Sequence, residues 1–234
     1  MRIFIIRHGE SEADLLHVHE GRADYELTEK GRAQAKAMAK AMAPAITPAI
    51  APAMASTISR TASNGYSSVK IYTSPLKRAR QTAACLCGEC GVLAEMENDL
   101  MEFNNGLLAG LDACTADDLY PEIRGLPPHE SAYKQESRLE FRFRAERMLS
   151  KILSENGEND VVAVVTHGGM INQLYQAFLK LPMDSGMSFP TGDTGIHEWV
   201  VKNGCRYVAR SNDTAHLAQL SVAEKEPYSA CAGM

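Results

Sequence analysis

The chain has 234 residues, of which 45% are hydrophobic and 23% are charged, as in an ordinary soluble globular protein. The formal net charge of −5 excludes a global positive field, so we expect no nucleic-acid partner. No run of about 18 apolar residues occurs, so we expect no membrane span. The short apolar run near the start lacks a signal-peptide cleavage site, and the six cysteines are too few for a disulfide scaffold, which favours a cytoplasmic location.

Short apolar runs rich in β-branched residues predict five strands. A continuous run without polar alternation is typical of a strand that is covered on both faces. The predicted strands lie at residues 3–6, 69–73, 161–165, 196–201 and 206–209. The last two are separated by the turn pair Asn203-Gly204.

Helical patterns alternate with these strands. Thr28 is placed to cap a helix over residues 29–42, and Ser74-Pro75 has the residue types of a cap followed by a first-turn proline, so a second helix runs to about residue 86. An apolar stripe over 141–152 predicts a third helix, and a fourth follows Gly169 and ends near residue 181. The alternation predicts an α/β fold with three layers, in which helices flank a mostly parallel central sheet.

One domain is expected over residues 1–217, followed by a poorly packed tail over 218–234. A tetrapeptide that begins with proline is repeated three times from Pro44, and proline inside a helix costs about 3 kcal/mol, so we expect the first helix to end there. We interpret residues 44–66 as an Ala/Pro-rich surface insertion, with a lid or an oligomer contact as the alternative. Residues 107–132 contain three prolines and are expected to form a cap over the site.

We expect two clusters of reactive residue types to have structural and not catalytic roles. Cysteines near the end of the second helix are expected to pack as small apolar side chains. These are Cys85, Cys87 and Cys90. Three arginines of the third helix are expected to form a solvated face with one structural ion pair. These are Arg142, Arg144 and Arg147.

Three of the predicted strands end in cationic or imidazole side chains. The first strand is followed by Arg7-His8, the second by a segment that contains Arg78, and the third by His167-Gly168. Ligands bind at the carboxyl ends of the strands in an open parallel sheet. Helix N-termini at two of these ends add unpaired N–H groups. Arginines, histidines and helix N-termini in one crevice suit a phosphate dianion.

This combination of residues predicts chemistry as well as binding. A neutral histidine nitrogen can attack phosphorus, while arginines bias the ring towards its neutral form and stabilise the transition-state oxygens. The leaving alkoxide needs a proton, and Glu102, in a loop punctuated by glycines, is the candidate general acid.

The ordered set of motifs resembles the histidine phosphatase superfamily, the phosphoglycerate-mutase-like proteins. The resemblance covers most of residues 1–181 in the family's order, and it is carried by Arg7-His8-Gly9-Glu10, Leu27-Thr28-Glu29-Lys30-Gly31, Ser74-Pro75-Leu76-Lys77-Arg78-Ala79, Glu102 with Gly106, Glu136-Ser137 with Arg144, and Thr166-His167-Gly168-Gly169.

The resemblance implies a role for each matching residue. His8 would be the nucleophile that becomes phosphohistidine, and Glu102 would be the proton donor that later helps to activate water. Arg7, Arg78 and His167 would complete the phosphate pocket, with Gly168 at the start of the following helix. No metal or other cofactor is implied, because cationic side chains hold the phosphate.

The sequence departs from the mutase branch between Asp14 and Arg22. Mutases typically have asparagine at the position of Asp14 and a small hydroxyl residue at that of Glu20, whereas both are acids here. A carboxylate beside a phosphate dianion is repulsive unless a cation intervenes. Arg22, or a positive group on the substrate, could be that cation. We therefore favour a metal-independent phosphatase over a mutase, with Asp14, Glu20, Gly21 and Arg22 in the substrate site.

Three other functions stay open at this point. A phosphoglycerate mutase would share the first step, and a non-catalytic protein could bind phospho-ligands on the same fold. A metal-dependent hydrolase would use His17 and His19 with Asp14 and Glu20, although alternate spacing on a loop is weak evidence for a metal. The expected partner is a small phosphorylated substrate, and the sequence is compatible with a homo-oligomer.

Overall fold

A computed structural model describes residues 1–54, 68–218 and 220. In chain order the helices and strands are β1 (Arg2–Arg7), α1 (Glu12–Leu16), α2 (Glu29–Met54), β2 (Val69–Thr73), α3 (Lys77–Cys90), β3 (Ala94–Met96), α4 (Ala113–Leu119), α5 (Arg138–Glu155), β4 (Val161–Thr166), α6 (Gly168–Phe178), β5 (Ile196–Lys202) and β6 (Cys205–Asp213). None of the helices in the described ranges is long and apolar enough to cross a bilayer.

The strands form one six-stranded sheet in the order β3-β2-β4-β1-β5-β6. The first four in this order are parallel to one another. Strand β5 is antiparallel to β1, and β6 is antiparallel to β5, so the sheet is mixed with a parallel majority. All five predicted strands are confirmed. The sequence patterns did not predict strand β3, because it has only three residues and none of them is buried.

Two apolar cores cover the two faces of the sheet. Successive side chains of a strand point to opposite faces, so β1 and β4 contribute to both cores. One core joins α5 and α6 to residues that include Ile3, Ile5, Val162 and Val164. The other joins α2 and α3 to residues that include Phe4, Ile6, Ala163 and Val165. Every residue of β4 is buried, and the predicted three-layer α/β fold is confirmed.

Helix α2 continues past the point where the sequence predicted its end. Thr28 caps it as expected, because its Oγ1 accepts a hydrogen bond from the backbone N–H of Gly31. The predicted stop at Pro44 was wrong, since the helix runs on to Met54. Ile46 lies fully buried in the core between α2, α3 and the sheet, and this packing offsets the hydrogen bond that proline removes.

Parts of two predicted segments fall outside the described residues. They are residues 55–66 of the proposed insertion, together with 219 and 221–234 of the proposed tail.

The structure confirms the prediction for the cysteine cluster and contradicts the prediction for the arginine cluster. Cys90 is buried in the core beside α3, and Cys85 and Cys87 pack against it, as predicted. The predicted solvated face of α5 was wrong. Arg142 is buried and bonds to the carbonyl oxygen of Leu181, because α5 packs between α6 and the segment that follows β3.

Arg144 is also withdrawn from solvent and holds that segment in place. Its guanidinium donates to the carbonyl oxygens of Asp99 and Met101 and pairs with Glu136. Only Arg147 of the three arginines is exposed, and it pairs with Asp99. The arginines thus connect α5 to neighbouring segments instead of forming a charged outer surface.

A buried hydrogen-bond network connects β5 to the carboxyl end of β1. The backbone N–H of Asn212 donates to His197 Nδ1 over 3.1 Å, so the ring proton lies on Nε2, which is 2.9 Å from Thr191 Oγ1. The carbonyl of Thr191 in turn accepts from Arg7 Nη1 over 3.0 Å. Burial lowers the pKa of His197 to about 4, so this ring is neutral near pH 7.

The buried position of Ile46 generates a prediction about stability. Replacing Ile46 by alanine should lower the free energy of unfolding by about 3 kcal/mol, because the change opens a cavity where packing holds α2 past Pro44. Urea unfolding followed by circular dichroism measures the loss. Ile123→Ala is the matched control, since that side chain is 48% exposed and should cost no more than about 0.5 kcal/mol. Equal losses in the two variants would contradict the assignment.

The His197 network generates a prediction about the pH dependence of stability. The folded protein resists protonation of His197, whereas the unfolded chain takes up the proton near the ordinary pKa of 6.5. The contribution of His197 should therefore be constant above about pH 6.5 and fall as the pH drops towards about 4, by about 3 kcal/mol at most. Unfolding free energies measured across this range should decline less steeply in His197→Gln. His129→Gln, at an exposed position, should keep the wild-type slope. An unchanged slope in His197→Gln would refute this account.

Candidate active site

The three strand ends that carry cationic or imidazole side chains meet at one edge of the sheet. The parallel register sets Arg7 opposite Thr166, and the backbone N–H of His8 donates to the Thr166 carbonyl over 3.0 Å. Ser74 follows β2 and bonds in the same way to Val165 of β4. The predicted convergence is therefore present.

The convergence gathers four side chains into one group. The rings of His8 and His167 have their centroids 5.0 Å apart, and Arg78 Nε lies 3.3 Å from His8 Nε2. Arg7 precedes His8 at the end of β1. We call these four residues the notch. All except Arg7 are buried, and Arg7 is half-buried.

His8 is held in the form that a nucleophile requires. Its Nδ1 lies 2.7 Å from the carbonyl oxygen of Gly9, so this nitrogen carries the proton and donates it. The lone pair of Nε2 consequently faces Arg78 Nε, which donates to it. Burial, followed by the charges of Arg78 and Arg7, holds the pKa of His8 well below its ordinary value. The imidazole is therefore neutral near pH 7.

Arg78 is held by His8 and by two backbone carbonyls. It lies in the first turn of α3, and its side chain is completely buried. Nη1 donates to the carbonyl of Ala23 and Nη2 to that of Gly21, each over 2.9 Å. Gly21, which the sequence placed in the substrate site, therefore contributes its carbonyl to the orientation of Arg78.

Ser74 does not cap α3, so this prediction was wrong. The helix begins at Lys77, and its N-cap residue, Leu76, makes no side-chain capping bond. The Ser74 hydroxyl accepts a hydrogen bond from the N–H of Leu76 and also lies 2.8 Å from His167 Nε2. It is therefore a partner of the second notch histidine, and only the parallel pairing of β2 with β4 brings the two together.

His167 is the N-cap residue of α6, which begins at Gly168 as expected. Burial, together with the charge of Arg78, holds its pKa well below the ordinary value. Among the residues that the structure describes, neither its buried Nδ1 nor the buried Nε of Arg7 has a hydrogen-bond partner. Because buried polar groups are normally paired, two unpaired nitrogens in one notch indicate a place for a ligand.

Glu102 reaches the notch from the segment that Arg144 holds. Its Oε2 accepts a hydrogen bond of 2.9 Å from the backbone N–H of Gly169. Its Oε1 accepts one of 2.8 Å from the N–H of Phe103. A Cβ atom at Gly169 would lie only 2.4 Å from Oε1, so glycine is required for this close approach. Arg144 also donates to the carbonyl of Glu102 over 3.3 Å.

Asp14 and Glu20 both face the notch, but Arg22 does not pair with them. Asp14 Oδ1 lies 3.6 Å from Arg7 Nη2, and its other oxygen caps α1 through Ser11. Glu20 Oε2 lies 3.2 Å from Arg78 Nε. The guanidinium of Arg22 instead points to Glu136, 3.6 Å away. The prediction that Arg22 is the cation between these acids and a phosphate was therefore wrong. Arg7 and Arg78 are the cations that lie beside them.

The structure adds residues that the sequence analysis missed. Asp193 Oδ1 lies 3.5 Å from Arg7 Nη2, on the loop that enters β5. An antiparallel strand begins at the edge where its parallel neighbours end, so the polar turn before residue 196 belongs at the site. That turn, Gly192-Asp193-Thr194-Gly195, was the available signal. Thr191, which the sequence did not single out, acts on the site through Arg7. The motif residues Ser74 and Arg144 also act through others, Ser74 through His167 and Arg144, paired with Glu136, through the segment of Glu102.

A cavity of about 460 Å³ lies next to the segment that carries Glu102. Phe103, the next residue in the chain, lines it, and so does Glu136, which pairs with Arg22 and Arg144. Most of the other lining residues lie between 122 and 138, partly inside the segment predicted to be a cap. They include Ile123, Leu126, Arg124 and Arg138.

The chain is similar in sequence and fold to known proteins. The chain is 23% identical over 225 residues to phosphoserine phosphatase 1 of Hydrogenobacter thermophilus, covering 95% of this chain and 97% of that one. It is 26% identical over 214 residues to a glucosyl-3-phosphoglycerate phosphatase of Mycobacterium tuberculosis, covering 87% and 85%. A solved structure of a mycobacterial glucosyl-3-phosphoglycerate phosphatase with VO3 has a TM-score of 0.72 at 23% identity, over 90% and 98% of the two chains. This last likeness supports the fold.

The family model for the histidine phosphatase superfamily (branch 1) matches residues 3–66 and 62–214. These two matches include all four notch residues and Glu102. The resemblance drawn from the sequence motifs is thereby confirmed, and the chain belongs to branch 1 of the histidine phosphatase superfamily.

Proposed function

We propose that the protein is a metal-independent phosphatase that hydrolyses small phosphate monoesters through a phosphohistidine on His8. The observation that carries the proposal is the state of His8, a neutral ring whose Nε2 lone pair faces the notch beside Arg78. A neutral nitrogen next to a fixed guanidinium is suited to attack phosphorus while the charge on the phosphoryl oxygens is stabilised. The names of the relatives as phosphatases agree with this function.

In the first step a bond forms between His8 Nε2 and phosphorus while the bond from phosphorus to the ester oxygen breaks. Arg7, Arg78 and His167 hold the phosphoryl oxygens. We propose that the Ser74 hydroxyl donates to His167 Nε2, which puts the ring proton on Nδ1, where it can donate to one of these oxygens. Glu102 gives its proton to the leaving alkoxide.

In the second step a water molecule attacks the phosphohistidine. Glu102 takes the proton of that water, and the bond from phosphorus to His8 Nε2 breaks to release inorganic phosphate. The hydrogen bonds from the N–H groups of Phe103 and Gly169 hold the carboxyl group in place for both transfers. Neither step calls for a metal ion.

We propose that the cavity beside Phe103 receives the alcohol part of the substrate. Apolar and charged side chains both line it, which suits a small polar metabolite better than a hydrophobic one. Residues 107–132 then act as the cap that sets the substrate class, within a single catalytic domain over 1–217. A cytoplasmic location remains a prediction of the sequence alone.

Substitution of the two central residues tests the mechanism. His8→Ala should lower turnover of an aryl phosphate by at least about 10³-fold and abolish an acid-labile phosphoryl adduct that mass spectrometry detects on wild-type His8 after rapid quenching. Glu102→Gln should slow alkyl phosphates by about 10²-fold and slow aryl phosphates with good leaving groups much less, because these need no proton. His129→Ala is the control at an exposed histidine and should behave as the wild type.

Two further measurements separate the proposal from its rivals. Wild-type protein incubated with 3-phosphoglycerate should release phosphate and form no isomer, whereas isomerisation without release would identify a mutase. Chelator treatment should leave turnover unchanged, and a loss restored by added metal would overturn the mechanism. Absence of turnover on every phosphate monoester would leave only a binding function.

A further inference from the structure

More carboxylates surround the notch than it has guanidinium groups. Arg7 and Arg78 supply its two permanent positive charges, since His8 and His167 are neutral. Three carboxylates lie within 3.6 Å of those guanidinium groups. They are Asp14 and Asp193 beside Arg7, and Glu20 beside Arg78. A dianion that enters the notch therefore meets a net negative surrounding unless a charge is removed.

Glu20 lies in the place that an anion must take. Its Oε2 is 3.2 Å from Arg78 Nε and 3.8 Å from His8 Nε2, the nitrogen proposed to attack phosphorus. A phosphoryl group within reach of both nitrogens would be in contact with this oxygen. The carboxylate of Glu20 thus lies where an anion held by both nitrogens would lie.

The backbone on both sides of Glu20 is fixed by hydrogen bonds. His19 donates to the carbonyl of Leu111 and accepts from the N–H of Gly110, each over 2.8 Å. On the other side the carbonyls of Gly21 and Ala23 accept from Arg78. The main chain therefore cannot withdraw Glu20 from the notch without breaking the contacts that orient Arg78.

The charges around Glu20 make it ready to accept a proton. Arg78 of α3 and His8 at the end of β1 lie beside its Oε2, and Ser11 Oγ donates a hydrogen bond to its Oε1. The charges of Arg7 and of Asp14 also act on this carboxylate. Burial raises the pKa of Glu20, and the charge of Asp14 adds to the rise, whereas the charge of Arg78, the hydrogen bond from Ser11 and the charge of Arg7 offset it only in part. A bound dianion would add negative charge at contact distance and would favour the neutral carboxyl group more strongly.

We propose that Glu20 makes anion binding in the notch proton-coupled: a tetrahedral dianion replaces its carboxylate at Arg78 while Glu20 takes up one proton from solvent. Glu20 is then a specificity-determining residue that disfavours dianions at high pH and admits them as the pH falls. The inference rests on the proposed function for the identity of the ligand. The binding equilibrium it describes is measurable without turnover.

Calorimetric titration with sulfate tests the coupling, because sulfate is a tetrahedral dianion that does not itself titrate near neutral pH. Experiments in two buffers with different ionisation enthalpies give the number of protons taken up. The wild type should take up nearly one proton per sulfate, and its affinity should rise by up to about tenfold per unit as the pH falls between about 8 and 5. Glu20→Gln should bind sulfate more tightly at the upper end of this range and take up almost no proton.

Matched variants show which carboxylate is responsible. Glu12→Gln makes the same change at an exposed position of α1 and should preserve the wild-type uptake. Asp14→Asn and Asp193→Asn should also preserve most of it, since these two acids lie beside Arg7 and not at the place of the anion. Thermal unfolding of each variant verifies that it is folded.

The possible results separate this inference from the proposed function. Sulfate affinity that does not depend on pH in the wild type, or proton uptake that persists in Glu20→Gln, would overturn the coupling. Phosphatase turnover under those circumstances would leave the proposed function intact. If the wild type neither binds sulfate at any of these pH values nor hydrolyses phosphate esters, the notch is not an anion site and both proposals fail.

Discussion

The site depends on one fully buried cation, the guanidinium of Arg78. Transfer of a charge from water to the protein interior costs several kcal/mol unless partners replace the lost hydration. The carbonyls of Gly21 and Ala23, the Nε2 lone pair of His8 and the carboxylate of Glu20 are those partners. Since each comes from a different part of the chain from α3, satisfying Arg78 brings the residues of the notch together.

The same burial explains why the two histidines are neutral. Within a few ångströms of a fixed positive charge and away from water, a second positive charge on His8 or His167 is disfavoured. In the neutral ring of His8 the single proton lies on Nδ1 and is donated to the carbonyl of Gly9. Nε2 is therefore the nitrogen whose lone pair faces the notch. Charge, burial and tautomer are therefore set by a single arrangement and not by three separate features.

Local patterns predicted the elements of the fold well where one pattern had no rival. The apolar run of β4 and the stripe of α5 have a single solution, a strand covered on both faces and a helix with one buried face. The pattern failed at Pro44 and at Ser74. At Pro44 the packing of Ile46 in the core outweighed the local preference, and at Ser74 the bond to His167 did so. Both are contacts between residues distant in sequence.

Neighbouring residues were enough to predict the family, the alternation of strands and helices, and the guanidinium and imidazole groups at the ends of three strands, because each of these is a local property of the chain. The packing of the folded chain was needed to reveal that Glu20 lies against Arg78 and His8. It also revealed that Arg22 pairs with Glu136 and that Asp193 lies beside Arg7. These pairings depend on how loops distant in the chain approach the sheet edge. Coulomb energy varies with the distance between charges, and that distance is set by the packed fold and not by the order of residues.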